Sequence, residues 1–464
     1  MLKIAFLLFM SAGIPVAVAM AGASLVYIWW SGNLPGFVVI HRMVSGVDSF
    51  PLLAVPFFIL AGNLMNNAGI TNRIYNFALA LVGWLKGGLG HVNILGSVIF
   101  SGMSGTAIAD AAGLGTIEIK AMKEHGYSTE FAVGVTAASA TLGPIIPPSL
   151  PFVIYGMMAN VSVGSLFLAG IVPGVIMTLL MMLTVAYYAH RNGWGSDVKF
   201  QWPRLMKALV ELLVVCVWPT ALWLAVDRLG LPAQPAVAVA LVILFVADKV
   251  FRFEAVLPIM TPVLLIGGMA TGLFTATEGA IAACVWAMAL GFFWYRTLKW
   301  KMFVKVCLET VESTATVLFI VAAASIFGWM LTATGVTADI AAWVLDFTKE
   351  PWVFLLLANL LMLFVGCFLE TTAAITILVP ILLPIANQLG IDPVHFGVLM
   401  VLNLMIGVLH PPMGMVLFVL ARIANLSLER TTMAILPWLV PLLFSLALIT
   451  YWPATVLWLP RLMQ

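Results

Sequence analysis

The sequence predicts an all-α polytopic membrane protein made of two inverted repeats, each holding a re-entrant helical hairpin and a broken transmembrane helix. Three observations carry that prediction. First, 63% of the 464 residues are apolar and 9% are charged, and apolar runs of membrane-spanning length recur throughout, a balance foreign to water-soluble folds. Second, the chain repeats itself. Gly102, Gly126 and Gly143-Pro-Ile-Ile-Pro-Pro148 return 264 positions later, without a gap, as Gly366, Gly390 and Gly407-Val-Leu-His-Pro-Pro412. Third, the two hairpin bases differ in charge. Glu118 to Glu130 contains Lys120 and Lys123, whereas the matching Leu382 to Val394 contains no Lys or Arg, only Asp392. By the positive-inside rule the first hairpin opens toward the cytoplasm and the second away from it.

Taken in order, residues 1–50 form an N-terminal membrane helix and an interfacial arm, both assigned to a scaffold. The Ala17-Val-Ala19 sequence mimics a signal-peptide cleavage site, but the apolar run continues to Trp30, longer than a typical signal core. Ile40 to Ser49 is a polar patch. Its equivalent, Trp294 to Lys305 followed by Glu312-Ser313, mixes basic and aromatic residues. Both read as helices lying in the interface before turning in, or as plain loop anchors.

Repeat one covers 51–170. Helices at about 51–66 and 73–85 precede Gly87-Gly-Leu-Gly90, which starts the first hairpin. His91 to Phe100 makes about 15 Å of helix, half a bilayer. The predicted break lies at 101–106, and Ala107 to Glu124 returns toward the side of entry. Phe131 to Leu142 then enters, breaks at Gly143 to Ser149 and resumes through Tyr155, after which Ser162 to Ala169 connects to Gly170–Gly174 and a helix ending at His190-Arg191. Residues 171–299 hold the polar linker 192–204 and helices near 205–226, 234–250, 256–275 and 279–296, which lack paired breaks and read as scaffold. Repeat two, with its interfacial arm, runs over 300–428, its hairpin centred on 366–372 and its crossover on 407–414. A last helix near 433–453 occupies the C-terminal part, 429–464.

Glycine and proline unwind helices, and unwound backbone at membrane depth is tolerated only where it lines protein or a watery cavity. Paired broken segments in two halves of a chain point to the binding site of a secondary transporter. A cation there needs oxygen ligands, which hydroxyls and freed carbonyls supply without a buried formal charge. Repeat one offers Ser101, Ser104 and Thr106 facing Gly143 to Pro147. Repeat two offers Thr371 and Thr372 facing Gly407 to His410. This predicts two related sodium sites. The bland reading of the same residues is close helix packing. Intramembrane acids are costly and face a cavity or a partner; Asp110, one turn beyond the first tip, and Glu370, on the second, are such residues. Asp110, Pro148, Ser149 and Pro412 are expected to line a substrate cavity. Glu278 stands three residues after Thr275, the spacing of a capping box.

His410 occupies the position equivalent to Ile146, beside the second cation site. It either senses the cation or hydrogen-bonds backbone freed by the prolines. The four cysteines (Cys216, Cys284, Cys307, Cys367) sit in apolar segments without metal-ligand spacing and read as packing residues. The net charge of +2 implies no particular partner, and no basic stripe points to nucleic acid. No metalloprotease helix, nucleophile elbow or P-loop is present, so an enzyme is not expected and transport would draw on an ion gradient.

Gly46 to Gly62, Ser101 to Gly115, Gly143 to Ser149, Thr275 to Gly279 and Gly390 to Gly397 together resemble the large membrane subunit of tripartite ATP-independent periplasmic (TRAP) transporters. The resemblance covers nearly the whole chain. It implies an elevator-type, sodium-driven importer of a carboxylate in a bacterial inner membrane. The implied partners are a small membrane (Q) subunit and a periplasmic solute-binding (P) subunit, and Na+ is the coupling ion with no organic cofactor. It places sodium at Ser101, Gly102, Ser104 and Thr106 with Gly143, Ile145 and Pro147, and at Gly366, Glu370, Thr371 and Thr372 with Gly407, His410 and Met413. The sequence departs from the family pattern at Glu370, where Asp is usual, and at His410, where Thr is common. The small subunit looks unfused here. A stand-alone sodium/carboxylate symporter with the same two hairpins is the alternative. A passive channel and an intramembrane hydrolase are weaker ones: obligatory sodium dependence would exclude the first, and Ser, Asp and His are too scattered for the second.

Overall fold

Glycine, proline and side-chain caps set most helix boundaries in this structure, a computed structural model. It describes residues 1–32, 35–229, 233–251, 253, 255–270, 274–410 and 414–462, with side chains for all of these except 219–241 and 270. Among the described residues six helices are long and apolar enough to cross a membrane: Phe50–Asn67, Val163–Arg191, Ala276–Trp294, Trp300–Ala333, Thr371–Gln388 and Leu428–Tyr451.

The duplication is visible as matched elements. The first hairpin enters as Gly88–Ser104 and returns as Ala107–Ala112 and Leu114–Glu124; the second enters as Pro351–Gly366 and returns as Thr371–Gln388. The first crossover is Thr129–Ala140 then Leu150–Ala159, the second Pro393–Gly407 then Met415–Ala424. Matching side chains start matching helices. Ser128 accepts a hydrogen bond from the Phe131 N–H, and Asp392, 264 positions on, accepts from Val394 and His395. Beyond the proline pairs the offset becomes 265, since the left-handed Asn160 and Asn425 and the N-caps Ser162 and Ser427 correspond. The second copy thus carries one extra residue between Pro412 and Gly414.

Buried amides tie each hairpin to its crossover. Asn93 donates to Thr136 (2.7 Å) and accepts from Ser139 (2.7 Å). In the other half Asn403 donates to the Asn359 side chain (2.8 Å), which donates to Thr450 (3.0 Å). Such polar pairs hold helices together where lipid provides no hydrophobic drive. The hairpins, crossovers and the helices Val163–Arg191 and Leu428–Tyr451 share one large apolar core, a second core gathers Phe253, Val256, Leu257 and Trp286, and a third joins the N-terminal helices to Ala323–Leu331.

Several elements differ from expectation. The N-terminal run is two helices, Leu2–Ser11 and Val16–Ser31, parted at Gly13 (φ +75) and Pro15. Val163–Arg191 runs unbroken through Pro173, where a separate connector was expected; packed neighbours tolerate a proline that local preference would not. The first arm does turn, as Phe37–Val47, a short turn at Phe50–Leu53 and then Ala54–Asn67. Its counterpart, Trp300–Ala333, is one 34-residue helix, about 50 Å long at 1.5 Å per residue. Pro51 stands in the first turn, and its equivalent is Ala315, so only one copy lacks an amide donor there. A further helix, Ala454–Leu462, follows the expected last one.

The linker is fastened to the base of the first hairpin. Asp197 accepts hydrogen bonds from the Leu89 N–H (2.8 Å) and the Tyr127 hydroxyl (2.6 Å), and the Gly87 N–H donates to the Gly195 carbonyl (3.0 Å). Burial and the adjacent Asp197 carboxylate hold the Tyr127 phenol above its ordinary range.

Candidate transport site

Gly105 closes the entering arm of the first hairpin in the left-handed region (φ +64), which glycine adopts freely. Thr106 then caps the returning arm by accepting from the Ala109 N–H (3.3 Å). Only these two residues leave the helix at the tip, so the break is narrower than the predicted 101–106, and Ser101, Gly102 and Ser104 lie in the last helical turn. The returning arm breaks again at Gly113 (φ −80, ψ −82). In the second hairpin Cys367 to Glu370 leave the helix. Glu370 caps the return by accepting from the Ala373 N–H (3.3 Å). Thr106 and Glu370, Ala109 and Ala373 are pairs at the 264 offset.

Each tip touches its own crossover, as the sequence predicts. A Cβ on Gly143 would lie 3.1 Å from the Thr106 carbonyl oxygen, and one on Gly105 would lie 2.8 Å from that of Pro148. In the second half the approach is tighter, for a Cβ on Gly407 would lie 2.7 Å from the Gly366 Cα. The first tip also meets the scaffold, where a Cβ on Gly102 would lie 2.6 Å from Pro262 Cβ.

The hydroxyls are not equally engaged. Ser101 donates to the Val98 carbonyl (2.6 Å), and Thr106 is used as a cap. Ser104 Oγ and Thr371 Oγ1 are buried and have no hydrogen-bond partner among the described residues. Thr372 is buried beside Thr371, and Ile145 and Pro147 are buried in the first crossover. His410 places Nδ1 3.1 Å from the Ile406 carbonyl oxygen. Pro412 and Met413 lie outside the described residues.

A cavity of about 50 Å³ joins the two tips, lined by Gly105, Thr106, Ala107, Glu370, Thr371 and Thr372 among others. It has room for a water or two but not for an organic acid. The residues expected to line a substrate cavity sit differently. Ser149 donates to the Pro144 carbonyl and caps Leu150–Ala159. Pro148 is packed beneath Gly105. Asp110 is 1% exposed, and neither carboxyl oxygen has a well-formed hydrogen bond among the described residues.

Glu118 is likewise buried, at 2% exposure, with no hydrogen-bond partner for either oxygen among the described residues. Reading it as part of a charged hairpin base missed this. The spacing gave no signal for it, because the returning arm breaks at Gly113 and Asp110 and Glu118 share no continuous helix face. At Glu278 the capping box with Thr275 forms as expected.

Comparison with known proteins places this geometry. The family model described as the tripartite ATP-independent periplasmic transporter, DctM component, matches residues 4–455. The sialic acid TRAP transporter large permease protein SiaM of Vibrio cholerae is 41% identical, covering 97% of this chain and 96% of that protein. The C4-dicarboxylate TRAP transporter large permease protein DctM of Rhodobacter capsulatus is 32% identical over 98% and 97% of the two chains. The solved YdaH transporter of Alcanivorax borkumensis shares the fold, with a TM-score of 0.59 at 14% identity over 90% of this chain and 87% of that one. The tips, crossovers and matched family span agree: this chain belongs to the DctM family, the large permease component of tripartite ATP-independent periplasmic transporters.

Proposed function

We propose that this permease couples inward movement of a carboxylate-bearing organic solute to sodium, by an elevator motion of its two hairpins past the scaffold. Family membership makes the chain a multi-pass protein of the bacterial inner membrane that transports an organic acid and catalyses no reaction. The proposed partners are a small membrane subunit and a periplasmic binding protein that delivers cargo.

The observation that carries the sodium reading is a buried hydroxyl at each tip without a partner among the described residues, Ser104 in one half and Thr371 in the other. A buried hydroxyl without a partner costs free energy, which a bound cation would relieve. In the first half Ser104, with Ser101, Gly102 and Thr106, would hold one ion against Gly143, Ile145 and Pro147. In the second, Thr371, with Gly366, Glu370 and Thr372, would hold another against Gly407 and His410. The sialic acid and C4-dicarboxylate transported by the named relatives support a carboxylate cargo. The small inter-tip cavity supports a motion that opens the tips before an organic acid enters.

The test is uptake by proteoliposomes holding both membrane subunits, with the binding protein outside. Uptake should require an inward sodium gradient and the binding protein. Undiminished uptake with potassium replacing sodium on both sides would defeat the coupling. Uptake without the binding protein would favour a stand-alone symporter.

A further inference from the structure

A second cavity, sharing no lining residue with the one between the tips, lies where the linker meets the helices Ile70–Val82 and Trp202–Leu229. Its volume is about 270 Å³, and its two walls differ in chemistry. Phe77, Leu79 and Ala80, from helix Ile70–Val82, make one wall apolar, together with Trp84 just beyond that helix. Lys199, Arg204 and Lys207 make the other wall cationic, and Glu211 is the one acid among the lining residues. The Glu211 carboxylate accepts the Ala255 N–H at 3.0 Å, so part of its charge is already engaged. Lys199 and Arg204 are exposed and form no ion pair among the described residues.

The depth of the cavity follows from its neighbours. Trp84, Phe200 and Trp202 are 37%, 52% and 62% exposed around it, and Trp84 and Phe200 rings meet at 5.3 Å, the aromatic signature of a membrane interface. Asp197, two residues before Lys199, is bonded to the base of the first hairpin. Lys120 and Lys123 belong to that same base, so the positive-inside rule puts this face in the cytoplasm.

We propose that this cavity binds the phosphate-bearing headgroup of an anionic phospholipid of the inner leaflet. The phosphate would meet Lys199 and Arg204, while the glycerol and upper acyl carbons would lie on Phe77, Leu79, Ala80 and Trp84. A free phosphate uses only the cationic wall, whereas a phospholipid uses both. Basic pockets between membrane helices on the cytoplasmic side have this chemistry. A lipid seated there would bridge the linker, fastened to the first hairpin, to the repeat-one helix Ile70–Val82 and the helix Trp202–Leu229.

The experiment uses the complex of this chain with its small membrane subunit, delipidated and examined by native mass spectrometry during titration with phosphatidylglycerol or phosphatidylcholine of the same chains. Phosphatidylglycerol should bind preferentially. The double variant Lys199→Gln/Arg204→Gln should weaken that binding roughly 30-fold, at about 1 kcal/mol per basic residue near the surface. Lys120→Gln/Lys123→Gln, on the same face but outside the cavity, should bind as the parent does, and Lys199→Arg/Arg204→Lys should restore binding, which separates lost charge from lost folding. Equal phosphatidylglycerol affinity in the parent and the Gln double variant would overturn the proposal. So would inorganic phosphate binding the parent as tightly as the lipid, which would mark a soluble-anion site. Lipid binding by the isolated chain that disappears in the complex would show that the small subunit occupies the cavity, and would also overturn it.

Discussion

The two halves of the duplication share a plan and differ in where their helices stop. In the first crossover the entering helix ends at Ala140; in the second it runs three residues further, to Gly407. Pro144 explains the difference. Proline at that position clashes with the carbonyl four residues back, that of Ala140. Its equivalent, Val408, keeps its amide and donates to the Leu404 carbonyl at 3.0 Å. At the tips the equivalent caps are a neutral Thr106 and an acidic Glu370. The orphaned hydroxyls are not equivalents at all. Ser104 lies on the entering arm and matches Phe368, whereas Thr371 lies on the returning arm and matches Ala107. Duplication therefore set the architecture, and single substitutions then made two tips of different chemistry from it.

The sharpest way to break this comparison is to impose the stop of one half on the other. Val408→Pro should remove the bond to Leu404 and shorten the second crossover helix, destabilising the protein by about 3 kcal/mol or more. Pro144→Val, which frees the first helix to lengthen, should cost far less stability. Thermal unfolding of the two variants in one detergent checks this, and equal losses would mean that the prolines do not set the helix ends.

A smaller effect is expected from the hydroxyls. Ser104→Ala and Thr371→Ala should each raise the half-saturating sodium concentration for uptake. Losing about 1–3 kcal/mol corresponds to roughly five- to more than hundred-fold. Because the residues stand in separate halves, the double variant should show the product of the two effects. Sodium dependence unchanged in both single variants, at normal expression, would return these residues to a packing role.

The caps should matter least. Thr106→Ala removes an N-cap, at a cost of about 1 kcal/mol. Glu370→Ala should cost a similar amount, and Glu370→Asp should restore the cap because the shorter acid is itself a favoured one. Urea unfolding of the three variants ranks them. Full stability of Glu370→Ala would show that this acid serves the cavity alone.

How much of this was legible in advance follows from the range of each interaction. Glycine and proline act on their own backbone and that of neighbours within a turn, so the sequence by itself determined the paired breaks at Gly105, at Cys367–Glu370, at Gly143 and after Gly407, and the Thr275–Glu278 cap. It also determined membrane residence, because composition alone excludes a watery fold. Only the tertiary structure decided what those breaks enclose. Whether Ser101 or Ser104 keeps a free hydroxyl depends on which carbonyl lies within reach. That Glu118 is buried, and that Val163–Arg191 continues through Pro173, depends on neighbours distant in sequence. So does the meeting of Thr106 and Glu370, 264 residues apart, across one small cavity. A cap or a break is a property of a few consecutive residues, whereas burial, partnership and enclosure belong to segments that only packing brings together.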